Sequence, residues 1–271
     1  MTRHEFETFA HALADAAASA TLPHFRSALA VENKLDTGDG PDRGGERSAF
    51  DPVTVADRAA EEAIRDLIFK TYPDHGLHGE EFGKVKGAGT YEWVVDPIDG
   101  TRSFMSGVPL WTTIIGLRRD SVPAYGLVDQ PYVGDRFWGC EGAAFTRHRD
   151  GEASEIRTRP CADLSSATMM TTTPSIIRGD DRDRYDEVER CVRLARYGAD
   201  GYAYCLLAAG QIDLVIETGL EAYDVVGLIP VIEAAGGVFT SWTGGSANEG
   251  GRVIAAGDAR VHAAALEILN G

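Results

Sequence analysis

Through the middle of the chain, β-favouring runs follow one another, "LWTTIIGL", "PAYGLVD", "DRFWGC", "AAFTRH" and later "ATMMTTT", separated by Gly, Pro and Asp signals. Helical stripes flank them. Phe6, Phe9, Ala10, Leu13, Ala16 and Ala17 recur at helical spacing near the start. In "DPVTVADRAAEEAIRDLI", Thr54 with Asp57 three residues later resembles a capping box, and Ala60, Ile64, Leu67 and Ile68 form a buried stripe. Beyond the strands, "RYDEVERCVRLA", "YAYCLLAAG" and "AYDVVGLIPVIEAAGG" read as helices, interspersed with the strand candidates "IDLVIE", "GVFTSW" and "RVIAAG". A helix capped by Asp258 closes the chain, with Gly271 after its last turn. Strands and helices mix without regular βαβ alternation, so the expected fold is layered α/β or α+β with a mostly antiparallel or mixed sheet. The polar stretch "HRDGEASEIRTRP" near residue 150 reads either as a hairpin tip or as the seam between two packed halves of one domain, about 1–150 and 151–271.

With 271 residues and 44% hydrophobic composition the chain can bury a sizeable core. Its 26 basic and 42 acidic residues give a formal charge of -16, which argues against binding nucleic acid or an anionic membrane. No run of about 18 apolar residues is present to span a bilayer, and the opening "MTRHEFETFAHALADAAASA" lacks a signal peptide's order, so a cytoplasmic setting is expected. Cys140, Cys161, Cys191 and Cys205 are widely scattered and are expected to be reduced, structural thiols; the seven histidines show no ligand clustering. Trp111 and Trp138 read as core or interface aromatics. The Gly-rich, charged "KLDTGDGPDRGGERSAF", residues 34–50, reads as a mobile surface loop.

The chemistry concentrates in "YEWVVDPIDGTRSF". A short strand is expected to end abruptly at Asp96-Pro97, presenting Asp96 and Asp99 at a rigid strand end, while Gly100 permits the tight turn that brings both carboxylates to one point. Adjacent carboxylates repel unless a cation or proton lies between them, and hard oxygen ligands suit Mg2+, Mn2+ or Ca2+. "GTRSF" opens a helix whose N–H groups at Gly100 and Thr101 would cradle an anion. Metal ligands and an anion cradle in one loop suit a phosphate ester. The same residues also compose an ordinary solvated turn. Glu80 and Glu81 in "HGEEFG" and Asp224 in "EAYDVVG" are further acids in position, although each also reads as a solvated pair or a helix cap, as Asp57 does.

Together, "DPVTVAD", "GEE", "WVVDPIDGT" and "YDVVGLIPVIEAAGG" resemble, in order and spacing, the inositol monophosphatase family of metal-dependent phosphatases. The resemblance implies the layered α/β/α/β/α sandwich of the inositol monophosphatase and fructose-1,6-bisphosphatase superfamily, usually a homodimer. It implies up to three Mg2+, with Mn2+ possible and Li+ inhibitory, held by Glu80, Asp96, Asp99, Asp224 and the Ile98 carbonyl. Thr101 paired with Asp57 would orient and help deprotonate the attacking water, with Glu80 among the catalytic acids, and the Gly100 and Thr101 N–H groups would hold phosphate. Hydrolysis of the monoester would be direct and in-line, without a phosphoenzyme. The loop with Lys34 corresponds to a segment that completes the site when metal is bound. Within the family, "DGTRSFMSGVPLW" and "YGADGYAYCLLAAGQIDLVIETGLEAYD" look like the histidinol-phosphate phosphatase branch, with inositol monophosphate or another small phosphate ester as the alternative substrate and a non-catalytic metal-binding relative as the remote alternative. A substrate bearing an ammonium and an imidazole needs carboxylates away from the metals, which Asp200 and Glu217 would supply; Arg102 would contact the substrate phosphate or reach across a dimer interface.

Overall fold

In a computed structural model, residues 1–27, 31–33 and 52–271 are described. The expected loop over residues 34–50, Lys34 included, lies outside them. Eight strands form one sheet in the order Ser154–Ile156, Ala143–His148, Asp135–Cys140, Val122–Gln130, Thr112–Arg119, Tyr91–Asp99, Gly76–Gly79, Gly83–Val85. Only the pair Gly76–Gly79 and Tyr91–Asp99 runs parallel in it. A second, mixed sheet orders Leu194–Tyr197, Thr168–Thr171, Leu214–Leu220, Gly251–Ala256 and Val238–Ser241.

Strand alternation divides the core into layers. Trp93, Val95, Ile115 and Leu117 face the helices Arg3–Thr21 and Val55–Thr71, meeting Phe6, Leu13, Ile64 and Ile68. Their neighbours Val94 and Ile114 face the opposite way, toward the helices Asp200–Ala208 and Leu228–Ala234, on which Val215, Val253 and Ala255 of the second sheet also pack. Leu214, Ile216, Ile254 and Ala256 then turn outward onto the helices Asp180–Cys191 and Ala259–Asn270. The result is the α/β/α/β/α sandwich.

The middle layer packs close against the first sheet because Gly116, Gly126 and Gly139 pair side by side across three strands. A Cβ at Gly126 would run into the Gly227 carbonyl, one at Gly116 would stand 2.7 Å from the Gly227 nitrogen, and one at Gly139 would stand 2.8 Å from the Val231 Cα. This glycine seat fixes the backbone just after Asp224. Gly126→Ala is expected to destabilise the protein by about 1–3 kcal/mol through overpacking, read from the denaturant midpoint.

Both early helices carry the expected stripes, with Thr54 and Asp57 forming the capping box, and Asp258 caps the last helix. The stretch near residue 150 is a hairpin tip between Ala143–His148 and Ser154–Ile156. Three expectations need correction. The helix expected over "RYDEVERCVRLA" ends at Cys191, and Leu194–Tyr197 is a strand, because Thr168–Thr171 offers it a parallel partner. The single helix expected over "AYDVVGLIPVIEAAGG" is divided into Ala222–Val225 and Leu228–Ala234, with Gly227, seated against the first sheet, between them. The Asp96 strand does not end at Pro97 but continues to Asp99.

Candidate active site

Regular pairing of Tyr91–Asp99 with Thr112–Arg119 holds at Asp96 opposite Ile114 and resumes at Asp99 opposite Thr112, so one extra residue is accommodated in between. In an unbroken strand two residues three apart point to opposite faces. The bulge cancels that alternation and brings both carboxylates to one side. The Thr113 hydroxyl pins it by donating to the Pro97 carbonyl at 2.8 Å. Asp224, on the short helix Ala222–Val225, completes a trio in which carboxylate oxygens of Asp96, Asp99 and Asp224 lie within 4.8 Å of one another. Among the described residues no histidine joins this cluster.

The electrostatics follow from crowding. Asp96 is 2% exposed, and burial together with the charges of Glu80, Asp99 and Asp224 pushes its carboxyl well above the usual range. Burial, then Asp200 and Asp224, do the same to Asp99, against a hydrogen bond from the Gly201 N–H. Glu80, in the turn after Gly76–Gly79, joins the group through a hydrogen bond with Asp96. Carboxylates crowded together in this way call for a cation between them. The donor set, hard carboxylate oxygens of one buried and two half-buried aspartates, fits a hard divalent cation.

Asp57 is fully buried, and its two oxygens face different partners. One oxygen accepts the Thr54 N–H at 2.9 Å and caps the helix, while the other lies 3.4 Å from the Thr101 hydroxyl. That hydroxyl also stands 3.1 Å from the Ile98 carbonyl. Asp224 likewise accepts the Glu221 N–H at 2.6 Å as a cap. Gly100 starts the helix Thr101–Met105 at φ 86°, and a Cβ there would lie 2.9 Å from Asp200.

Asp200 and Glu217 come together on the far side of Asp99. Glu217, 3% exposed, accepts the Thr172 N–H at 2.7 Å and the Tyr204 hydroxyl at 3.1 Å. Thr172 also hydrogen-bonds Asp200, whose other partner is the Ser103 hydroxyl at 3.4 Å. Burial raises both carboxyls; the Thr172 and Ser103 bonds and the Arg102 charge pull Asp200 back down, while the Asp200 charge raises Glu217 further. Arg102 itself is exposed. Sequence reasoning missed Thr172 and Tyr204, since a threonine after a strand and a tyrosine on an apolar helix carry no local signal. Trp111 lies in the core against Phe25 and Phe104, Trp138 is buried beside His11, and the four cysteines are unpaired. Among the described residues no helix is long and apolar enough to cross a membrane.

Clustered acids at a strand end of this five-layer scaffold are the donor set that a metal-dependent phosphate ester hydrolase needs. The sequence profile of the inositol monophosphatase family matches residues 2–270. The chain belongs to that family, and it is a phosphoric monoester hydrolase. It is similar to the chloroplastic bifunctional phosphatase IMPL2 of Arabidopsis thaliana, with 40% identity covering 97% of this chain and 75% of that one. The histidinol-phosphatase of Streptomyces coelicolor is 35% identical, covering 96% of this chain and 95% of its own. The solved structure of an inositol monophosphatase from Zymomonas mobilis superposes with a TM-score of 0.82 at 32% identity, covering 100% of both chains.

Proposed function

We propose that the protein is a Mg2+-dependent histidinol-phosphate phosphatase, releasing histidinol and phosphate. The observation that carries the choice of substrate is the Asp200 and Glu217 carboxylate pair, joined through Thr172 and set beside Asp99. Asp200 would receive the substrate ammonium and Glu217 the imidazole, each charge-assisted. The similarity to the Streptomyces coelicolor histidinol-phosphatase supports the same reading.

Glu80, Asp96, Asp99, Asp224 and the Ile98 carbonyl would hold up to three Mg2+, with Mn2+ able to substitute. Bound there, Mg2+ supplies charge neutralisation for the phosphate and acidifies the attacking water. The chain's own contribution begins at Thr101, whose hydroxyl lies between the Ile98 carbonyl and the Asp57 carboxylate. That hydroxyl holds the water in line and passes a proton toward Asp57. The Gly100 and Thr101 N–H groups meet phosphate oxygens, and exposed Arg102 screens the approaching dianion. A cytoplasmic homodimer belongs to this reading, the unpaired thiols fitting a reducing compartment.

Inositol monophosphate is the second reading. Glu217 would serve a hydroxyl as well as an imidazole, and the Zymomonas mobilis neighbour is an inositol monophosphatase. Phosphate release from histidinol phosphate is expected to fall to background on chelation, to return with Mg2+, and to drop in millimolar-range Li+. Release that persists in chelator contradicts the metal-dependent reading.

A further inference from the structure

Glu61 is a fully buried glutamate on the helix Val55–Thr71, outside the acid cluster. Its carboxylate faces the turn that carries Glu80. One oxygen accepts the Glu81 N–H at 2.6 Å, and the other accepts the Phe82 N–H at 3.2 Å and the Arg65 Nε at 2.7 Å. Arg65 reaches the same turn by donating to the Gly83 carbonyl. On the opposite flank of Glu80, a Cβ at Gly79 would run into the Glu61 carboxylate. The helix therefore holds the backbone at residues 81, 82 and 83 by hydrogen bonds and lies close against residue 79, on both sides of Glu80, which among the described site acids comes from a turn.

We propose that Glu61 is a positioning residue whose function is to hold the backbone of Glu80 at the metal site, with Arg65 as its orienting partner. The proposal rests on the reading of Glu80 as a metal ligand. Burying a carboxylate under a helix is costly unless it is fully hydrogen-bonded, and here the bonds go to consecutive backbone N–H groups of a ligand-bearing turn. A turn so fixed presents its glutamate without first losing backbone freedom, and loss of such supporting contacts weakens metal binding about 10–100-fold.

The test is Mn2+ binding to metal-stripped protein, by calorimetry or by the loss of free Mn2+ resonance signal, beside phosphatase assays. Glu61→Leu is expected to weaken Mn2+ binding about 10–100-fold while kcat at saturating cation stays within a few-fold. Glu61→Gln keeps acceptor oxygen for the turn and is expected to recover part of the loss. Gly79→Ala removes no polar group, yet displaces Glu61 and is expected to weaken Mn2+ binding in the same direction. If Glu61→Leu does not fold, Glu61→Gln and Gly79→Ala carry the test. Lower thermal stability with unchanged Mn2+ affinity in these variants overturns the proposal. Glu80→Ala separates the two levels: unchanged Mn2+ affinity there overturns Glu80 as a ligand, whereas weakened binding there with intact binding in the Glu61 and Gly79 variants overturns only the positioning role.

Discussion

Asp96→Asn is expected to lower phosphate release on the order of 10³-fold or more and, at the same time, to stabilise the metal-free protein. Activity falls because the acid at the centre of the cluster, touched by Glu80, Asp99 and Asp224, can no longer help hold a cation, and several kcal/mol of charge stabilisation go with it. Stability rises for the same electrostatic reason. Burial and three neighbouring carboxylates hold the folded-state pKa of Asp96 above its unfolded value. The folded chain thus binds its proton more tightly than the unfolded chain does. Without cation, this contribution is fully present below about pH 4 and is lost as pH rises through the folded pKa. An amide carries no such charge, so the variant should gain about 1 kcal/mol at neutral pH in chelator and show a flatter fall of stability with pH. Thermal unfolding at pH 4 and pH 7.5, with and without chelator, checks both signs. An Asp96→Asn protein that keeps full activity contradicts the site.

Asp200→Asn is expected to lower kcat/KM for histidinol phosphate by about 10²-fold while leaving inositol 1-phosphate within a few-fold. Removing one partner of a desolvated charge pair costs about 2–5 kcal/mol, and only the cationic substrate would lose such a pair. The substitution also relieves repulsion, because the Asp200 charge presses on Asp99 and on Glu217. Any effect of that relief is common to both substrates and cancels in the ratio. Parallel kinetics on the two esters, with cation saturating, give the ratio. An equal loss on both esters would assign Asp200 to the scaffold instead of to the substrate.

Much of the architecture was legible because alternation and helical period are local properties. The expected stripes of the first two helices and the cap of the second recur in the structure, and so does every strand of the central run from Thr112–Arg119 to Ala143–His148. What was not legible depends on partners far along the chain. The strand Gly76–Gly79 exists because both neighbours pair with it. The bulge that aims Asp96 and Asp99 together depends on the register with Thr112–Arg119, which the motif does not encode. Asp57 and Asp224 read as caps or as site acids, and the structure makes each a cap as well as a neighbour of the site. Glu61 was readable and was passed over: in "AAEEAIRD" it sits beside exposed Glu62, yet it shares the helical phase of buried Ile64 and Ile68.

The most direct measurement of the central claim is phosphate release from histidinol phosphate and inositol 1-phosphate side by side, each with Mg2+ and with chelator. Mg2+-dependent release is expected, with kcat/KM favouring histidinol phosphate by a factor of about 10². Preference for inositol 1-phosphate would contradict the role given to Asp200 and Glu217, and release that ignores chelator would contradict the metal site itself.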